Sequence, residues 1–346
     1  MNWCGQWSFV VAMVAVNFAF AATNALFKMI LDRGTSRVII LVYRQAISTL
    51  CLTPIAYVRE RKGRPKLTAR VLCQLFLNAL IGTTLAQYFF LLGLEYTSAT
   101  FSCAFLNTVP AITLILALPF GLEKVSFRSK SGQAKVIGTL VCISGAMVLT
   151  LYKGKTLVGS DSRDGKYLIV NYRRKERWGI GSMFPAACAV CWSLWFLLQA
   201  RIGKGYPCKY SSTAFLSLFS AIQSAILGLI TERDFDEWIL RGKLELITVT
   251  FAGIVASGLC YVGMSWCVEH RGPVFTSAYT PLVQIFVAIF DFSFLHGKLY
   301  LGSVTGSILI IIGLYILLWG RNSEAQEMEH HQVEEEEGDC NSRSKV

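Results

Sequence analysis

The sequence predicts an all-α integral membrane protein, with ten transmembrane helices in two halves of five that insert with opposite orientation. Three observations predict it. Only 16% of the 346 residues are charged and 53% are hydrophobic, whereas a soluble domain averages about 25% charged. The apolar residues gather into ten runs of about 20 residues, each enough to cross roughly 30 Å of hydrocarbon at helical rise. The longest polar connection falls after the fifth run, Lys153–Trp178, and so divides the chain evenly. This composition excludes a small secreted disulfide domain, a disordered chain and a simple soluble enzyme.

The runs, in order, are Trp7–Phe27, Val38–Val58, Val71–Gly93, Ser98–Leu122, Val136–Tyr152, Gly179–Ala200, Ser211–Ile230, Leu246–Val268, Pro273–Leu295 and Leu299–Gly320. Helices are the spans expected, because lipid offers backbone groups no outside partner and the runs lack the alternation of barrel strands. The first run reads as a span rather than a cleaved signal. No basic residue precedes it, and it exceeds an ordinary signal core. The organisation expected is residues 7–152 as the first half, 153–178 as a polar loop, 179–320 as the second half and 321–346 as an acidic, disordered tail.

The halves resemble each other. Asn107-Thr-Val-Pro110 in span four answers Tyr279-Thr-Pro281 in span nine, and Gly138 and Gly145 in span five answer Gly306 and Gly313 in span ten. An internal duplication with an odd number of spans per half inverts the second copy.

Charge sets the expected orientation. The tail carries eight acids against three basic residues, which leaves 30 basic against 14 acidic residues in 1–320. With the N-terminus inside, the first half has ten basic residues in its cytoplasmic loops (Arg59, Arg61, Lys62, Arg64, Lys66, Arg70, Lys124, Arg128, Lys130, Lys135) and three outside (Lys28, Arg33, Arg37). The second half is balanced. The central loop works against this assignment, since parity puts its eight basic residues outside. Both termini are expected in the cytoplasm, in the plasma membrane first and the vacuolar membrane as the alternative. Nucleic acid is not an expected partner, because the basic residues sit in short connections with no domain to read a groove. The lipid bilayer and a small-molecule substrate are, and a homo-oligomer is left open.

Most of the eleven cysteines lie inside the runs, where they read as small packing residues. Cys188-Ala-Val-Cys191 has CxxC spacing, but no second ligand pair accompanies it. No metal, cofactor or enzymatic activity is expected. Motifs of ATP hydrolysis, zinc proteolysis and serine hydrolysis are missing from the sequence.

Polar side chains within spans mark the candidate binding residues. Arg44 stands about 9 Å into span two by helical rise, and Asn24 and Lys28 close span one on the same side. Together they suggest a cavity for an anionic group, although either cation could instead snorkel to headgroups. Pro110 and Pro281 break spans four and nine at matching positions, the pattern that points to a transporter site near the midplane. Asn107, Thr280 and Gln284 flank them, while Gln87, Gln199, Trp192 and Trp195 are weaker candidates. Asp291 is the one acid within the ten runs, a weak candidate for proton coupling and otherwise a solvated helix-end acid. Gly302-Ser-Val-Thr-Gly306 is a GxxxG on span ten, read first as packing within the chain.

Several fragments in order resemble a known family: Asn24-Ala-Leu-Phe-Lys28, Tyr43-Arg44, Pro54-Ile-Ala-Tyr, Tyr96-Thr-Ser-Ala-Thr, Asn107-Thr-Val-Pro110-Ala-Ile-Thr, Trp192-Ser-Leu-Trp195, Gln199, Tyr206-Pro207, Trp266-Cys-Val-Glu-His-Arg-Gly-Pro-Val-Phe-Thr-Ser-Ala-Tyr and Leu301-Gly-Ser. They resemble the plant nodulin-like EamA transporters of the drug/metabolite transporter superfamily, which include amino-acid facilitators (UmamiT) and the walls-are-thin auxin transporter. The resemblance covers about residues 7–320. It implies two inverted five-helix EamA repeats and movement of amino acids, auxin or related small organic acids, by export or in both directions. The chain departs from it at His296-Gly297-Lys298, where the family pattern expects His-Glu-Lys, although Glu123 is kept at the comparable end of span four. The competing class is a membrane enzyme or signalling receptor, which would want clustered catalytic groups or a folded extramembrane domain.

Overall fold

A computed structural model describes the chain except residues 1–2, 32–34, 97–104, 123–128, 153–155, 159–177, 232–237, 241, 295–298, 303, 321–322 and 324–346. The described residues form helices α1 (Trp3–Leu31), α2 (Arg37–Glu60), α3 (69–96), α4 (Val109–Ala117), α5 (Lys130–Leu151), α6 (Trp178–Gly205), α7 (Lys209–Thr231), α8 (Lys243–Arg271), α9a (Pro273–Ala278), α9b (Leu282–Phe294) and α10 (Val304–Gly320). Among them, seven helices are long and apolar enough to cross a membrane. The shorter α4, α9a with α9b, and α10 fall where spans four, nine and ten are expected. Strands β1 (Thr156–Val158) and β2 (Leu299–Tyr300) pair antiparallel and tie the central loop to the start of the tenth span.

The outside is apolar, as lipid requires, and the polar side chains of the spans are kept inside, among an apolar core. Leu50, Val58, Ile230 and Tyr315 are 70% exposed or more, whereas Asn17, Ser48, Asn78, Ser193, Ser217 and Thr248 are buried. The helix ends explain where each rod starts. Thr68 caps α3 by accepting from the backbone N–H of Val71, and Ser129 caps α5 through Ser131. Glu60, at the end of α2, accepts from the backbone N–H groups of Tyr210 and Ser211 at 2.9 and 2.8 Å. A carboxylate there satisfies two orphan donors and the positive end of α7. Gly272, at φ +83°, turns the chain sharply between α8 and α9a, and Pro273 starts the next helix where a missing N–H costs nothing.

The packing follows the duplication. α2 lies on the middle of α8, and its counterpart α7 lies on the middle of α3; α6 packs on α3 and α4, and its counterpart α1 on α8 and α9b. Both middles are π-helical, at Ala79–Leu85 and Ala252–Cys260. The fifth and tenth helices meet through their glycines. A Cβ on Gly138 would sit 2.8 Å from the Gly313 carbonyl oxygen, and one on Gly145 would sit 3.0 Å from that of Gly306. The Gly302/Gly306 motif therefore packs within the chain, since Gly302 lies against the Tyr152 backbone.

End contacts sort cleanly onto two faces. On one, Arg64 Nε donates to the Tyr206 hydroxyl at 2.7 Å, Lys209 pairs with Glu269 at 3.3 Å, and Arg271 lies over Phe9. On the other, Thr35 donates to Glu245 at 2.9 Å and Tyr43 to the Trp238 carbonyl at 2.8 Å. Each pair joins ends that ten alternating crossings place on the same side, and so does the β1–β2 pairing.

Candidate functional site

Arg44 is 6% exposed, turned into the bundle rather than toward a headgroup. Its position follows from two small residues four apart on α8. A Cβ on Gly253 would lie 2.9 Å from the Arg44 carbonyl oxygen and 2.8 Å from Ile47 Cβ, so α2 rests directly on that glycine. One turn later Ser257 accepts a hydrogen bond from Arg44 Nε. Phe27 of α1 covers the guanidinium at 5.7 Å, and Tyr261 and Cys260 are its electrostatic neighbours on α8. Among the described residues no carboxylate pairs with it, and its two terminal amino groups make no hydrogen bond. A buried cation without an anion is expensive, and a guanidinium fork suits a two-oxygen acceptor.

Aromatic side chains wall this space. Trp192 stacks on Tyr261 with centroids 6.3 Å apart, and Trp195 meets the same ring edge-on at 5.3 Å. Gln87 of α3 stands near the Tyr261 hydroxyl, which makes no hydrogen bond among the described residues. Phe20 contacts Tyr261 at 6.1 Å and Phe27 covers Arg44, and Asn24 stands between them on the same face of α1. Asn24 is exposed there. The side chains of Lys28 and Asp291 lie outside the described residues.

The two broken helices meet beside this wall. The chain turns at Asn107–Thr108 before α4 and at Tyr279–Pro281 between α9a and α9b. Pro110 falls in the first turn of α4, and Pro281 immediately precedes α9b; both are buried. Each proline starts a helix rather than bending one, because its absent N–H is harmless at that position. Asn107, 1% exposed, donates from Nδ2 to Gln284 Oε1 at 3.1 Å, joining one break to the other. Thr280 sits in the second break, its backbone N–H bonded to the Ser277 carbonyl.

The model of the EamA-like transporter family matches residues 7–151 and again residues 179–319. The chain belongs to that family. Two WAT1-related proteins of Arabidopsis thaliana are each 49% identical to it, over 325 residues (92% of this chain, 88% of the relative) and 324 residues (93% and 89%). A third WAT1-related protein of the same plant is 46% identical over 323 residues. A solved crystal structure superposes with a TM-score of 0.67 over 90% of this chain and 97% of that one, at 15% identity, and shares the fold.

In this EamA protein, then, Arg44, Gln87 and Trp192 lie around Tyr261, Asn24 stands exposed on the α1 face between Phe20 and Phe27, and Asn107, Pro110, Thr280, Pro281 and Gln284 form a second group at the breaks. Gln199 stands apart. It is buried, and its Oε1 accepts from Asn78 Nδ2 at 2.9 Å, a polar tie between α6 and α3. Sequence reasoning missed Tyr261, Ser257 and Gly253, as well as the Thr84–Gln223 pair at 2.8 Å between α3 and α7. The signal available was the spacing Gly253-x-x-x-Ser257, a small-residue pair that lets a second helix approach. Nothing in one sequence tells which helix approaches.

Proposed function

We propose that this EamA transporter is a bidirectional facilitator of amino acids or related small organic acids, auxin among them, working by alternating access. The observation that carries this is Arg44: a buried guanidinium with no acidic partner among the described residues and with two amino groups unspent, beside an aromatic wall. It supports reception of a substrate carboxylate by the guanidinium fork and of a modest apolar body by Tyr261, Trp192 and Phe27. The Asn107–Gln284 pair, where the two repeats meet at their broken helices, supports a site between the repeats. The names of the Arabidopsis relatives agree with a transporter and leave the substrate open.

The reading extends to topology and energy source. Loop charge supports cytoplasmic termini, and the plasma membrane is the first choice of location. Asp291 alone among the acids falls within a span, so a deep proton relay is poorly supplied and the substrate's own gradient is the proposed drive. The test is uptake and efflux of a labelled panel (neutral and acidic amino acids, indole-3-acetate, small dicarboxylates) in vesicles holding only this protein. Movement of at least one carboxylate down its gradient is expected. Movement of none, with the protein correctly inserted, would overturn the reading.

A further inference from the structure

A hollow lies away from Arg44, on the face that carries Glu60, Arg64 and Lys209. It has a volume of about 360 Å³ and is lined by Leu122, Lys204, Pro207, Val268, Glu269 and Pro273, from the turns after α4 and α6, the ends of α6 and α8 and the start of α9a. That volume falls within the range of small-molecule sites. Its charges are opposed: the methylene stem of Glu269 lies over Gly203, with its Cγ at 3.6 Å from where a Cβ would stand, so its carboxylate stands at the rim, and Lys204 follows Gly203 in sequence. The remaining lining is mostly apolar.

The local chain explains why the hollow exists. Gly203 has no side chain to fill it, and a Cβ there would already touch Glu269. Gly272, at φ +83°, reverses the chain within one residue, so Glu269 and Pro273 face the same space. Lys209 holds Glu269 at 3.3 Å, each side chain about one quarter exposed, which fixes the carboxylate while leaving part of it reachable. Lys204 is exposed and makes no hydrogen bond or ion pair among the described residues.

We propose that this hollow is a vestibule site for a neutral, zwitterionic amino acid with an aliphatic side chain. Lys204 receives the carboxylate, Glu269 accepts from the ammonium, and Leu122, Val268, Pro207 and Pro273 cover the side chain. The ligand's ammonium competes with Lys209 for Glu269, so occupancy loosens the tie between α7 and α8 on this face. The site is distinct from Arg44 and rests on the transport reading only for its role as an entry point.

The test is equilibrium binding of tritiated L-leucine to the full-length protein in nanodiscs, separate from transport. The wild type is expected to show two components, of which Arg44→Ala retains one. Lys204→Met, an exposed substitution that leaves the bundle intact, is expected to weaken that component at least tenfold, in the Arg44→Ala background and in the wild type alike. Glu269→Gln should do the same, whereas Lys209→Met should preserve or strengthen it. N-acetyl-leucine and leucinamide, each lacking one charge, should fail to compete. Loss of all binding in a folded Arg44→Ala protein, or a retained component indifferent to Lys204→Met, would overturn the site. If Lys209→Met weakens binding as much as Glu269→Gln, Glu269 acts only through helix packing and the assignment fails. A wild type that binds leucine at this hollow but transports nothing would overturn the transport reading and leave this one standing.

Discussion

At the scale of single residues, the cost of burying charge decides the argument. Arg44 gives one N–H to Ser257 and has no described anion, so its retention inside the bundle calls for a use. Arg44→Ala is expected to abolish or sharply reduce transport of a carboxylated substrate with insertion unchanged. Arg44→Lys should rescue only partly, since a point charge replaces a planar fork. Initial rates at equal surface expression check both, and wild-type rates in the Ala variant would reject the assignment. Ser257→Ala strands a buried charged donor, a loss of about 1–3 kcal/mol, and should lower the unfolding temperature in detergent. Asn107–Gln284 calls for the opposite conclusion. Side-chain hydrogen bonds between membrane helices average about 0.6 kcal/mol, too little to hold two repeats together. Asn107→Ala should therefore leave thermal stability nearly unchanged while reducing the transport rate. A large loss of stability would show that the pair is a structural tie.

Close approach governs the elements. α5 and α10 run antiparallel with glycines seven apart on each, and each backbone lies where the other's Cβ would be. Gly138→Leu or Gly313→Leu must force the helices apart, because the opposing atoms are backbone and have no rotamer to give. Either substitution is expected to cost several kcal/mol, beyond ordinary overpacking at about 1–3 kcal/mol, and to reduce folded yield in size-exclusion profiles. The equivalent change at Gly63, which has open space around it, should be neutral. The π segments belong to the same account. Gly82 lies under the Trp195 side chain and Gly253 under α2, so each repeat presents a glycine in its widened turn to a helix that packs across it. Mid-helix π turns frequently accompany functional sites, and here one of them presents Ser257 and ends immediately before Tyr261.

For the whole molecule the relevant quantity is parity. Ends that contact each other fall on two faces, and ten alternating crossings account for every such pair named above. A tag at the C-terminus and one within Glu60–Lys66 are expected to be reachable from the cytoplasm, and one within Lys153–Trp178 only from the opposite side. Protease or impermeant-label access checks this, and a cytoplasmic central loop would reject the inversion of the halves. Energy coupling also belongs to this scale. With equal substrate on both sides and the voltage clamped, a pH gradient should drive no net movement. Accumulation that follows the gradient and disappears in Asp291→Asn would make Asp291 the proton carrier.

How much of this was legible in the sequence depends on the range of the physics involved. The seven membrane-length helices among the described residues were legible because hydrocarbon thickness acts on local composition: about 20 apolar residues in a row suit a crossing. So were the breaks at Pro110 and Pro281 and the paired glycines of α5 and α10, since proline and glycine act on their own backbone. Arg44 announced itself because a charge in a span is costly whatever surrounds it. The tertiary structure alone decided what each of these meets: that Gly253 admits α2, that Ser257 takes one N–H of Arg44, that Tyr261 forms the wall, that Gln199 is spent on Asn78, and that Gly302 and Gly306 lie against α5. Those partners stand tens to hundreds of residues apart in the chain. A single sequence records each side chain's cost, while the fold supplies the neighbour that offsets it.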